Sequence, residues 1–152
     1  MGFNFGSSSK EKLSTCHKDL KIIMETALAI SKVDFGISEG HRSIERQKQL
    51  YDEGKSKIDG ITKKGMHNYE PSLAVDIYTY HPDLETRRKI AYDKSHLAYI
   101  AGLVDAVADR LFGLGYTTHK IRWGGNWDSD GIIDFDQSFD DFPHFELKKP
   151  HE

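Results

Sequence analysis

Leu13, Cys16, Leu20, Ile23, Met24, Ala27 and Ile30 recur mostly three or four positions apart, which places them on one face of an α-helix. Ser8 and Glu11 precede them with the spacing of a capping box, so the pattern predicts one helix over about residues 9–31. The stretch DFGISEG then predicts a short strand ending in glycine. SIERQKQLYDEG predicts a second helix, with Ser43 as its cap and Gly54 as its stop. In SLAVDIYTY the period changes. Leu73, Val75 and Ile77 alternate with Ala74, Asp76 and Tyr78, as in a strand with one face on the core and one face open. DLETRRKIAYDKSHLAYIAGLVDAVADRLFGLG returns to helical spacing in two pieces. Its stripe is Leu97, Ile100, Ala101, Val104, Val107, Ala108 and Leu111, and Gly113 and Gly115 end it. KIRWGG and HFEL predict two more short strands on either side of an acidic loop.

Helices in blocks around separated short strands, without regular strand–helix–strand alternation, favour an α+β fold with a small, mostly antiparallel sheet and flanking helices. The 152 residues show no repeat and no low-complexity linker, so residues 1–152 are expected to form a single domain with one core.

Charge narrows the function classes. A formal charge of −3 with scattered basic residues gives no stripe for nucleic acid and no attraction to a membrane surface. No apolar run reaches the length of a membrane span, and the opening MGFNFGSSSKEKL lacks the basic-then-apolar order of a signal peptide. Synthesis in a cytoplasm is expected, with release by another protein if the target lies outside. The single cysteine, Cys16, sits in a helical stripe and is expected to be a buried small hydrophobe rather than a nucleophile.

The chemistry begins with Asp76, a carboxylate in the middle of an apolar strand. A catalytic zinc typically takes three protein ligands from His, Asp and Glu and keeps one position for water. His67, just before the strand, and Asp76, on its open face, are candidates for two of them. The third has to come from elsewhere, among His17, His41, His81, His96, His119, His144 and His151. His144 is best placed, because in HFEL Phe145 and Leu147 can face the core while His144 and Glu146 face a cleft. Strict alternation puts Asp141 opposite His144, but Pro143 disfavours a regular strand there, and a bend would bring Asp141 to where a general base belongs.

With MHNYEPSLAVD and DFPHFEL taken together, the chain resembles the zinc D-Ala-D-Ala-type peptidase family. That family includes D-alanyl-D-alanine dipeptidases and carboxypeptidases and the phage L-alanyl-D-glutamate endolysins. FNFGSSSKEKL, SEGHRSIERQ and RWGGNWD fit the phage branch, and the match spans nearly the whole chain in order. The resemblance implies Zn2+ held by His67, Asp76 and His144, Asp141 as catalytic base, and Arg42 holding substrate or the developing oxyanion. It departs from the family in two places. His67 and Asp76 are nine positions apart where seven is usual, the extra residues lying in EPS, and Gly65 stands where the family has Ser.

The resemblance also implies the reaction: hydrolysis of the L-Ala–D-Glu bond of peptidoglycan stem peptides by a monomer. The enzyme would be made in a host cytoplasm and would act in the periplasm after a separate protein permeabilises the membrane. A D-alanyl-D-alanine carboxypeptidase is the alternative enzyme. An inactive peptidoglycan-binding or phage structural module is the alternative from another class, and a binder has no need of Asp141. His41 is expected to orient or lie at the surface, Trp123 to pack in the core, and Trp127 to line a peptide groove. The acidic loop carries Asp128, Asp130, Asp134, Asp136, Asp140 and Asp141. Its Asp-x-Asp-Gly opening resembles a calcium loop, but no Glu closes it at EF-hand spacing, so a solvated loop is expected and Ca2+ is the alternative.

Overall fold

The computed structural model describes residues 2–127, 129–133 and 141–151. Five helices, α1 (Ser7–Leu13), α2 (Lys18–Ile30), α3 (Ile44–Asp52), α4 (Leu84–Ile90) and α5 (Lys94–Gly113), accompany four strands. The strands β1 (Phe35–Glu39), β2 (Ala74–Thr79), β3 (Lys120–Gly124) and β4 (Asp141–Lys148) form one antiparallel sheet in the order β1-β2-β4-β3. This is the α+β architecture expected from the pattern.

One face of the sheet makes the core. Phe35, Ile37, Val75, Ile77, Ile121, Trp123, Phe145 and Leu147 alternate along their strands and join a single apolar cluster with Leu20, Ile23 and Met24 of α2 and Leu97, Ile100 and Val104 of α5. Phe145 is fully buried, and truncating such a side chain typically costs about 3–5 kcal/mol. The other face carries Asp76, His144, Glu146 and Arg122, half-buried or buried polar residues on the same strands.

The helix expected over residues 9–31 is two helices. Ser14 Oγ and Thr15 Oγ1 turn back onto the carbonyls of Glu11 and Lys12, at 2.5 and 2.6 Å, where α1 ends. Cys16 then forms a parallel bridge with Ser72, and His17 begins α2 by accepting from the backbone N–H of Asp19 at 3.0 Å. The apolar stripe runs on because both helices face the same core; the hydroxyls decide the break. The capping box is also absent, since the N-cap of α1 is Gly6 and no side chain caps it. Ser9 Oγ instead accepts from Ile37 N at 2.9 Å, so α1 covers the outer edge of β1. Elsewhere the punctuation is as read. Ser43 caps α3 by accepting from Arg46 N at 3.0 Å, and Gly54 follows that helix with φ +76°.

Candidate active site

The site grows from β2 and β4, the two central strands. Asp76 and His144 are direct cross-strand partners, and both project from the face opposite the core. His67 reaches them from a single 3₁₀ turn, Met66–Asn68, just before β2. That turn is pinned from several sides. Gly65 N donates to Asn68 Oδ1 at 2.8 Å, Asn68 Nδ2 donates to Arg42 O at 3.0 Å, and Arg42 N donates to His67 O at 2.8 Å. A Cβ at Gly65 would stand 3.0 Å from Asn68 Oδ1, so the position where the family has Ser is here closely packed against the amide that holds the turn.

Three donors converge. His67 Nε2 lies 3.3 Å and His144 Nδ1 3.1 Å from the same oxygen, Asp76 Oδ1. The remaining nitrogen of each ring has its own partner: His67 Nδ1 donates to the Gly40 carbonyl at 2.8 Å, and His144 Nε2 donates to Glu146 Oε1 at 2.8 Å. A carbonyl and a carboxylate therefore fix both rings with their inner nitrogens turned to Asp76, the arrangement common around metal-ligating histidines. His67, Asp76 and His144 are a group whose donor atoms lie within 4.8 Å of one another and could hold a metal ion. The nine-position spacing does not prevent this, because the added length runs through the Glu70–Ser72 loop ahead of the strand.

Asp141 begins β4, and its Oδ2 lies 3.9 Å from His144 Nδ1. Along β3, Trp123 pairs with Phe145 but the next residue, Gly124, pairs with Asp141, so Phe142, Pro143 and His144 bulge out of that register. The bulge removes the strict alternation that would have sent Asp141 to the other face. A bend at Pro143 was expected; a bulge within one continuous strand provides it.

Burial shapes the charges. It raises the Asp141 carboxyl above its ordinary range, and the neighbouring Asp76 adds to the rise against the pull of His144. Burial opposes ionisation of Asp76 too, but hydrogen bonds from His144 and His67 more than offset it and hold that carboxyl well below its usual range. For His144, burial favours the neutral ring, yet its bonds to Asp76 and Glu146 push the pKa up to about 10.

Arg42 lies beside this group. Its Nη2 is 3.7 Å from Asp76 Oδ2, its Nε donates to Glu39 Oε1 at 2.9 Å, and Nη2 also pairs with Glu39. Nη1 donates to Gln47 Oε1 at 2.9 Å. Gln47 is itself buried and donates to Ser56 Oγ and Ile58 O at 2.8 and 2.7 Å, so the guanidinium is held in one plane. On the other side, Arg122 Nη2 donates to Glu146 Oε2 at 2.6 Å and its guanidinium lies 5.5 Å from the Trp127 ring centre. Trp127 also meets the His144 ring at 5.4 Å, and the same cleft is lined by Arg46, Lys55, Lys57, Met66, His67, Asp76, Asp141 and His144.

The other histidines lie outside this group. His41 Nε2 pairs with Glu70, His96 with Asp93, and His17 and His119 with Asp19. Nothing in the sequence points to Gln47, because a polar residue on a polar helix carries no mark of being buried, nor to Glu39, whose pairing with Arg42 depends on how β1 ends. Trp123 is in the core as expected, its Nε1 donating to Phe142 O at 2.7 Å. Of the acidic loop, Asp128, Asp134, Asp136 and Asp140 lie outside the described residues, and so does any calcium site built on them.

The profile of the family described as phage L-alanyl-D-glutamate peptidase matches residues 1–148. The chain belongs to that family. Among relatives, it is 28% identical over 129 residues to the peptidoglycan L-alanyl-D-glutamate endopeptidase CwlK of Bacillus subtilis (strain 168), covering 82% of this chain and 66% of that one. It is 24% identical over 131 residues to the L-alanyl-D-glutamate peptidase of Escherichia phage T5, covering 86% of each. The crystal structure of the Serratia marcescens L-Ala D-Glu endopeptidase ChiX superposes with a TM-score of 0.71 at 26% identity, over 97% of this chain and 91% of that one. Membership makes the chain a peptidase-family protein. No helix among the described residues is long and apolar enough to cross a membrane.

Proposed function

We propose that the chain is a zinc peptidase that hydrolyses the L-Ala–D-Glu bond of peptidoglycan stem peptides and serves a phage as an endolysin. One observation carries the reading: two imidazoles, each anchored through its outer nitrogen, turn their inner nitrogens onto Asp76, with Asp141 beside them in an open cleft. Two imidazoles and one carboxylate suit zinc, and the pinned outer nitrogens leave the inner ones to bind it. His67, Asp76 and His144 would hold the ion. When bound, zinc supplies Lewis-acid polarisation of water and of the scissile carbonyl.

The protein's own groups do the rest. Asp141 takes a proton from the attacking water and delivers it to the leaving amine, its carboxylate standing 3.9 Å from His144 in the cleft. Arg42, its orientation fixed by Glu39 and Gln47, offers N–H groups to negative charge that develops on the substrate. Glu146 fixes the His144 ring and is itself fixed by Arg122. Arg46, Lys55 and Lys57, which line the same cleft, suit a substrate rich in carboxylates. The names of the phage and bacterial relatives support the bond, and the phage relative supports a role in lysis. On this reading the enzyme is made in the host cytoplasm and meets the wall once another protein has opened the membrane.

Purified peptidoglycan digested with the zinc-loaded protein should release stem peptides that begin with D-Glu, detected by mass spectrometry. His67→Ala should lose most bound zinc and nearly all of this release. Free D-Ala with no new D-Glu amino terminus would replace the proposal with a carboxypeptidase. Zinc-independent binding without cleavage would replace it with a wall-binding module.

A further inference from the structure

A second convergence of donors lies outside the cleft. Asp19, 1% exposed, sits in the first turn of α2. Its Oδ2 accepts from His119 Nδ1 at 3.0 Å, from Thr118 N at 3.0 Å, from His119 N at 3.2 Å and from Thr118 Oγ1 at 3.2 Å. Its other oxygen, Oδ1, faces His17 Nδ1 at 4.0 Å. The His17 and His119 rings meet edge to face with centroids 4.9 Å apart, and both are part-exposed. His17, Asp19 and His119 offer three donor atoms within 4.8 Å of one another.

We propose that His17, Asp19 and His119 form a second, structural site for a zinc-class divalent ion. The donor set is two imidazoles and one carboxylate, which suits zinc and neighbouring transition metals rather than calcium or magnesium. Donors around a tetrahedral zinc stand roughly 3.3 Å apart, given bonds of about 2.0–2.1 Å, so small rotations of the two imidazoles close the set, the lone pair of His17 Nδ1 passing from the Asp19 N–H to the ion. The buried carboxylate needs no movement, because its bonds from Thr118 N, Thr118 Oγ1 and His119 N hold it in place when the His119 ring turns to the ion. Both imidazoles border solvent, which gives the ion a way in.

The location separates this site from the cleft. His119 precedes Lys120, which pairs with Lys148, while His144 lies four residues back along β4, about 13 Å at the rise of a strand. An ion here would tie the start of α2 to the entry of the edge strand β3, joining segments 100 residues apart in sequence. Its role would be to hold the β3 edge against the helix layer.

The test is metal stoichiometry on the full chain. After chelator treatment and re-titration with Zn2+ alone, the His17→Asn/His119→Gln protein should bind one equivalent fewer than its parent. Asn keeps the oxygen that caps α2, and Gln keeps an N–H for Asp19, so the fold is preserved. The same loss should appear in the His67→Ala background, where the cleft no longer contributes. In that background, Zn2+ at about 100 times its Kd should raise Tm on the order of 5 °C, and the rise should vanish when His17 and His119 are also replaced. Equal stoichiometry in the parent and the double variant would overturn the proposal, as would a Zn2+-dependent Tm rise that survives the double replacement.

Discussion

Asp141 and His144 stand three residues apart on one strand and yet face the same cleft, with Oδ2 3.9 Å from Nδ1. The bulge opposite Trp123 and Gly124 makes this possible. Asp141→Asn should therefore keep the metal and lose rate by about 10²- to 10⁴-fold, measured as stem-peptide release. Unchanged turnover would move the base elsewhere, with Glu146 next in line.

The same residue sets a pH dependence. Its pKa in the folded protein is raised, so ionising it opposes folding: the stability held by the protonated form is present at low pH and lost as pH rises through the raised value. In the metal-free protein, Asp141→Asn should leave Tm at neutral pH equal or higher, and a clear fall in Tm there would contradict this account.

Gly124 pairs with Asp141 where no side chain fits. A Cβ there would stand 2.0 Å from the Asp141 carbonyl oxygen. Gly124→Ala should cost about 1–3 kcal/mol by denaturant titration and disturb Asp141, so kcat should fall more than stability alone predicts. A variant with wild-type kcat would show that the bulge is not needed to aim the carboxylate.

Arg42→Lys keeps the charge but cannot pair with Glu39 and Gln47 through a planar fork. Turnover should fall by about 10², with KM changed much less, if the guanidinium meets negative charge mainly in the transition state. Near-normal kinetics would reduce Arg42 to a brace between β1 and α3.

Cys16 is buried, and burial pushes its thiol up to about 11. At pH 8 its thiolate fraction should be roughly 100-fold below that of a free cysteine. A disulfide reagent should label it slowly in the native protein and fully, at one per chain, in denaturant. Fast native labelling would contradict its place in the core.

Much of this was legible in the chain, and the reasons are local. Asp76 was conspicuous because a carboxylate interrupts an alternating apolar strand, and His144 because HFEL alternates in the same way. Ser43 and Gly54 mark α3 with residues whose backbone preferences are strong. What stayed hidden depends on partners far away in sequence. The break between α1 and α2 turns on two hydroxyls returning to carbonyls, in a stripe that remains apolar throughout. The burial of Gln47 depends on Ser56 and Ile58 folding over it. The bulge at β4 depends on how Gly124 is paired, which no period in DFPHFEL records.

The cross-strand pairing of Asp76 with His144 has a consequence for how the protein fails. Asp76 is laddered on both sides, to Glu39 of β1 and to His144 of β4, so it cannot leave unless the sheet itself opens, whereas the bulge leaves His144 laddered to β2 alone. His67, on its short turn, is free to leave early. Below the melting transition, loss of the site should come from fraying of the Met66–Asn68 turn, seen as early amide exchange there, while the Asp76 amide exchanges only with global unfolding.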